Sequence, residues 1–164
     1  AMVKFLVTEI MPQVWAHRPT ARLIVVGKDP SSEIKDFGRN PLITITGTVD
    51  DIRPFLWRAA VSVVPLLYGA GIQNKILEAM ATGTPVVTTT RTLSALEALP
   101  GEEILTADTA ETFSLEILRL MEDENLRSKI GTAGLAYVQK KHAWKNITSR
   151  LVEVYQQASN SYAN

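Results

Sequence analysis

The segment Gly69-Ala70-Gly71-Ile72-Gln73-Asn74-Lys75 joins an apolar, strand-like run to a helical one, and it carries two glycines and one cation. Glycine lets the backbone approach a ligand closely. The free N–H groups that open the following helix, together with its dipole, favour an anion such as a diphosphate. Lys75 can add a point charge to the same phosphates. A plain strand-to-helix turn with a solvated lysine has the same spacing, which leaves the two readings level. Glu78 lies four residues after Asn74 and three after Lys75, so the three share a stripe of the helix. Ile76, Leu77 and Met80 crowd that stripe, predicting a partly buried carboxylate that could accept paired hydrogen bonds from the vicinal hydroxyls of a ribose. The simpler alternative is a Lys75–Glu78 surface pair worth only tenths of a kcal/mol.

The remaining polar candidates are weaker. Gly27 and Gly47 each end an apolar run, where they line a pocket or merely turn the chain, and turning is the stronger reading for each alone. Thr88-Thr89-Thr90 follows Val86-Val87, so its hydroxyls could meet a sugar or phosphate, although threonine is also an ordinary strand former. Asp50-Asp51 reads as a helix cap rather than a metal site, since no third ligand stands nearby. His17 and His142 read as surface residues near helix ends, and Trp144 as core.

These residues must be positioned by alternating strands and helices. Leu23-Ile24-Val25-Val26 ends in Gly27, Leu42 to Thr46 in Gly47, Val61 to Val64 in Pro65, and Pro85-Val86-Val87 runs into the threonines. Glu103-Ile104-Leu105 is a shorter fifth candidate. The run at Leu23 is short, β-branched and unalternating, which predicts a strand buried on both faces. An amphipathic helix is expected from Phe5 to Trp15, a short one capped by Asp50-Asp51 and running through Leu56 to Ala60, and one from Gln73 to Ala81 that closes at Gly83. After Thr109 the strands cease, and helices are expected from Phe113 to Met121, Leu126 to Val138 and Trp144 to Tyr155, with a polar tail from Ser159. Such alternation implies a parallel, doubly wound sheet, whose ligands bind beyond the carboxyl ends of the strands.

Composition narrows the chemistry further. The 164 residues, 46% of them hydrophobic, suit one domain that buries roughly 70% of its unfolded surface. Lys and Arg number 17 against 17 Asp and Glu, so no basic footprint exists for nucleic acid. With no cysteine and two histidines, disulfides, thiolate nucleophiles and cysteine or histidine-cluster metal sites are excluded. No leader-like start and no run of about 18 apolar residues occurs. This predicts a cytoplasmic chain, able to reach the inner membrane face only peripherally through a partner. Ala1 before Met2 reads as a tag scar.

The string from Gly69 to Ala81, followed by Gly83-Thr84-Pro85-Val86-Val87, resembles the donor-site signature of glycosyltransferase family 4, and is most similar to its bacterial exopolysaccharide branch. These are GT-B enzymes with two Rossmann-like domains, and the resemblance covers essentially the whole chain. It implies an α/β, Rossmann-like, doubly wound parallel sheet with extra C-terminal helices, equivalent to the C-terminal half of such an enzyme. Residues 2–158 would form the donor domain and 159–164 the tail. The implied activity is a retaining hexosyltransferase that uses a nucleotide-diphosphate sugar, without metal or other cofactor, in surface polysaccharide or glycoconjugate synthesis. Glu78 matches the second glutamate of the family's E-x7-E motif, which contacts the ribose, and is the best catalytic candidate. Gly69, Gly71, Ile72, Gln73 and Asn74 match the segment that meets the diphosphate and the transferred sugar, with Lys75 beside them. Gly47, Thr48 and Val49 fall near the base pocket, with Gly27 on the same rim.

Two departures stand out. Ala70 occupies the place of the motif's first glutamate, and no arginine stands near Leu67 or Ala70. The N-terminal acceptor domain, with its basic pair that clasps the phosphates, is absent from these residues, as is the strand that in the family lies between the strands at Leu23 and Val61. That gap is expected to be closed by direct contact of those two strands, or by a partner chain such as a second copy in a homodimer. A non-catalytic remnant that keeps the fold as an interaction module is the alternative. A dinucleotide-binding oxidoreductase is disfavoured because no G-x-G-x-x-G follows the first strand.

Overall fold

A computed structural model of the chain describes residues 2–66, 74–94 and 96–142. The first helical stretch starts with α1 (Met2–Phe5), widens into a π-helical turn over Leu6–Ile10 and continues as α2 (Met11–His17). Pro12 explains the widening. It has no N–H for the regular ladder and its ring would clash with the carbonyl of Thr8, so the backbone N–H of Met11 reaches back five residues to Leu6. The Trp15 indole N–H donates to the Ala21 carbonyl at 2.8 Å, tying the end of α2 to the loop that enters β1 (Leu23–Val26).

Then follow α3 (Ser32–Phe37), β2 (Ile43–Gly47), α4 (Arg53–Arg58), β3 (Ser62–Val64), α5 (Asn74–Ala81), β4 (Val86–Thr88), α6 (Thr90–Leu93) and β5 (Leu105–Thr106), with α7 (Ala110–Glu122) and α8 (Glu124–Lys141) after them. All strand pairs are parallel. The helix expected from Trp144 to Tyr155, and the tail after it, lie outside the described residues.

β4 sits between β3 and β5 and is buried along its length. Its successive side chains face opposite ways. Val87 packs with Leu6, Ile10 and Val14 of the first helical stretch and with Phe113 and Ile117 of α7, whereas Val86 packs with Ile76 and Met80 of α5 and Tyr137 of α8. Helices therefore cover both faces, as the doubly wound pattern requires.

The sheet is divided. β1 and β2 form a two-stranded unit, and β3, β4 and β5 a three-stranded one. Leu23 of β1 and Val61 and Val63 at β3 pack against the same core under the first helices, yet no ladder joins β1 to β3 among the described residues. Direct pairing of those two strands, one of the two expectations above, is not what the structure shows. The expected burial of β1 on both faces also fails, because Ile24 is 46% exposed. A strand that belongs to a two-stranded unit has a covered face and an open one.

α5 ends as its sequence predicts. The Gly83 N–H donates to Met80 O and the Thr84 N–H to Ala79 O, a Schellman closure that places Gly83 at φ +74°, where a side chain would be strained. α8 approaches this turn so closely that a Cβ on Gly131 would lie 2.2 Å from the Gly83 carbonyl oxygen. Gly131→Ala is therefore expected to destabilise the fold by about 2 kcal/mol, read as a melting point lower by roughly 5 °C. An unchanged melting point would show that α8 can shift away at no cost.

Candidate functional site

Two regions at strand carboxyl ends carry the expected site residues. The first lies beyond β1 and β2. A register irregularity between Val25 and Val26 lets the Gly27 N–H donate to the Gly47 carbonyl at 3.3 Å, and the Thr46 hydroxyl donates to the same oxygen at 2.9 Å. Gly47 adopts φ +71°, a conformation that favours glycine. The structure thus brings Gly27 and Gly47 together. Gly47 and Thr48 line an open groove of about 730 Å³ with Asp29, Lys35 and Arg39, and Val49 follows, half-buried. Asp29 also has positive φ (+48°), which aspartate tolerates better than most residues. Lys35 and Arg39, four apart along α3 and the turn after it, were not singled out from sequence. Their spacing is the signal that could have found them.

Asp51 does not cap α4 from the N-cap position, which Ile52 occupies. It acts from one residue earlier, where Oδ1 accepts the Arg53 backbone N–H at 2.9 Å and the carboxylate takes both Nε and Nη2 of the Arg53 guanidinium. The side-chain hydrogen bonds from Arg53, and then the backbone one, hold the Asp51 carboxyl below its usual range. Arg53 in turn lies 6.0 Å from the Trp57 ring centre. No group of three or more His, Asp or Glu side chains suited to a metal forms among the described residues, and no described helix is long and apolar enough to cross a membrane.

The second region is the start of α5, the next described element after β3. Gly69, Gly71, Ile72 and Gln73 lie outside the described residues, as do Leu67 and Ala70. Asn74 and Lys75 form the first turn of α5 and are exposed. Glu78 is exposed as well, which corrects the expectation of a partly buried acid. Ile76, Ala79 and Met80 are the residues that face the core, and the stripe at positions 74, 75 and 78 faces outward. The surface ion pair Lys75–Glu78 does not form either: the ion pairs among the described residues involve neither side chain. The first two turns of α5 thus offer an amide, an ammonium and a carboxylate without described partners.

The three threonines after β4 are committed elsewhere. Thr88 donates to Val64 O at 2.9 Å, Thr89 to Leu66 O at 3.0 Å, and Thr90 is bound through both backbone and hydroxyl to Asp108. Their hydroxyls are structural, not a ligand surface. His142 is half-buried rather than on the surface, with its ring 3.1 Å from the Tyr137 hydroxyl, and His17 is exposed at the end of α2, as expected.

The profile of the family described as glycosyl transferases group 1 matches residues 2–123. The chain belongs to this family. The O-antigen chain mannosyltransferase B of Escherichia coli is 32% identical over 108 residues, covering 65% of this chain and 28% of that protein. The GDP-mannose-dependent monoacylated alpha-(1-6)-phosphatidylinositol monomannoside mannosyltransferase of Corynebacterium glutamicum is 28% identical over 160 residues, covering 89% of this chain and 42% of its own length. The chain therefore spans less than half the length of these relatives. The structure of HepE from Anabaena in complex with UDP shares the fold, with a TM-score of 0.78 and 16% identity over 90% of this chain and 44% of that one. The group 1 glycosyltransferase fold thus accounts for the parallel strands and the helices on both faces.

Because Glu78 is exposed, Glu78→Ala should leave the melting temperature unchanged within about 0.5 kcal/mol of stability. If its carboxylate accepts the ribose hydroxyls, the variant should lose roughly tenfold or more in nucleotide affinity by calorimetry. Full affinity in the folded variant would remove Glu78 from the site.

Proposed function

We propose that the chain is the donor-binding half of a glycosyltransferase that moves a sugar, with retention of anomeric configuration, from a nucleoside diphosphate sugar to an acceptor in surface polysaccharide or glycoconjugate synthesis. The observation that carries this reading is the first two turns of α5, whose Asn74, Lys75 and Glu78 are exposed in a chain that belongs to the group 1 glycosyltransferases. The N-terminal amides of α5, its dipole and the Lys75 ammonium suit the two negative phosphates of a departing nucleoside diphosphate. Preorganised positive potential of that kind lowers the barrier to breaking the sugar–phosphate bond. Glu78 would fix the ribose and the Gly47–Val49 groove the base, with the 69–73 segment along the diphosphate and sugar. No metal is needed for this scheme, since helix and lysine supply the charge.

The UDP bound by HepE and the GDP-mannose named for the corynebacterial relative make uridine and guanosine nucleotides the donors to test. Calorimetric titration with UDP, GDP and their common sugar conjugates should show saturable binding that prefers one base. No binding to any of them by the folded protein would overturn the donor reading and leave the interaction-module alternative.

Transfer would further require an acceptor-binding half. We propose that a strand from that half or from a second copy completes the sheet between β1 and β3, whose facing edges have no described partner. Light scattering over a range of concentrations distinguishes the two sources: a dimer assigns the strand to a second copy, and a strict monomer removes that option.

A further inference from the structure

A second groove, of about 240 Å³, opens at the amino end of β4, between the last turn of α4, the Gly83 turn and the start of α8. It lies at the opposite end of that strand from the rim that carries the donor residues. Trp57 lines it with an indole that is 63% exposed, the most open of the large apolar side chains described. The ring is held in place from α4 itself. Asp51 grips Nε and Nη2 of Arg53, and the Arg53 guanidinium lies 6.0 Å from the ring centre, at the range of cation–π attraction.

The polar groups that share the groove have balanced charge. Glu124 is exposed, and no ion pair among the described residues involves it. Arg127 is fixed by its Nη1, which donates to the Leu120 carbonyl at 2.9 Å, and its charge offsets that of Glu124. Thr84 donates to the Leu56 carbonyl at 2.9 Å, which engages its one proton. Thr82 therefore donates either to Thr84, at 2.9 Å, or to the Ala79 carbonyl, at 2.7 Å. In both cases its oxygen offers a ligand lone pairs only, whereas the exposed Ser128 hydroxyl can give or accept.

A ligand suited to these walls has an apolar face for the indole, hydroxyl protons for Glu124 and Thr82, and no net charge. An anion would meet Glu124, and a cation would meet Arg53 at the ring and Arg127 in the groove. The volume is below the roughly 300 Å³ at which pockets for drug-sized ligands begin, so a single ring fits and a nucleotide does not. The charges of Arg58 and Glu124, both exposed, leave no broad apolar patch around the indole of the kind a protein partner would cover. A pyranose has the required properties, because the C–H groups of one face meet the negative face of the indole while its hydroxyls radiate from the ring edge. We propose that this groove is a saccharide-binding site that seats one neutral pyranose residue on Trp57, with Glu124 accepting its hydroxyls. The site goes beyond the donor reading and does not depend on it, since it shares no residue with the rim.

NMR titration of the isotope-labelled chain tests the site, with methyl α-D-mannopyranoside, methyl α-D-glucopyranoside and methyl β-D-galactopyranoside as probes and tetramethylammonium chloride as the cationic comparison. At least one glycoside should shift the Trp57 indole N–H and the amides of residues 124–128 saturably, with Kd on the order of 1–10 mM. Trp57→Ala should weaken binding about tenfold or more, Trp57→Phe should retain most of it, and Glu124→Gln should weaken it about threefold to tenfold. All three variants change exposed side chains, so their melting temperatures should stay within about 2 °C of wild type. No saturable shift with any of the glycosides up to about 100 mM overturns the site. Binding that survives both Trp57→Ala and Glu124→Gln unchanged does so too, as does tetramethylammonium that saturates the same signals more tightly than any glycoside. Nucleotide affinity should be the same in Trp57→Ala as in wild type, so a failure here leaves the donor reading standing.

Discussion

A strand covered by helices on both faces must find its hydrogen-bond partners inside the sheet, and β4 is under that constraint along its whole length. Its backbone groups pair with β3 and β5, and its terminal threonine, with the one that follows, directs hydroxyls at carbonyls of the β3 end. No buried side-chain nitrogen or oxygen among the described residues lacks a partner. The positions of α5 and α8 depend on this strand, because Val86 is the surface on which Ile76, Met80 and Tyr137 meet. The outward stripe of α5 is thus a consequence of its inward one: once Ile76 and Met80 are seated on β4, Asn74, Lys75 and Glu78 face outward.

Strand and helix order was legible in the sequence because the local signals are strong. Glycine or proline ends three of the apolar runs, and Gly83 closes α5 through the left-handed geometry that glycine supplies. Periodicity also identifies helices such as α7, whose Phe113, Ile117 and Leu120 line one face. Which strands pair is a different kind of information. An apolar run such as Leu23–Val26 reads the same whether it lies in the middle of a five-stranded sheet or in a pair, so the division of the sheet and the exposure of Ile24 were not legible.

The candidate site was legible to a similar degree. The glycines at 27 and 47 and the stripe at 74, 75 and 78 follow from residue type and spacing, whereas the exposure of Glu78 depends on how α5 rolls on β4. The sequence showed that threonines cluster at 88–90 but not where their protons go, because the acceptors are distant in the chain: Val64 at the end of β3, Leu66 just past it, and Asp108 after β5. Lys35 and Arg39 were missed for a related reason: they become groove residues only when α3 is laid along β2. Membership of the group 1 glycosyltransferases adds what neither periodicity nor packing supplies, namely the family to which these strands and helices belong.

The divided sheet has one more consequence. A strand edge with free N–H and C=O groups is a template for any other extended chain, and natural sheets usually blunt such edges with charge, proline or a bulge. The run Leu23–Val26 contains no charged residue and no proline. Its one irregularity, at Val25 and Val26, comes at the end of the strand. In concentrated solution the separated chain would therefore be prone to edge-to-edge aggregation, with a long-lived, β-rich precipitate as its characteristic end state. A lysine introduced at Ile24, the exposed residue of that run, would be the least intrusive protection.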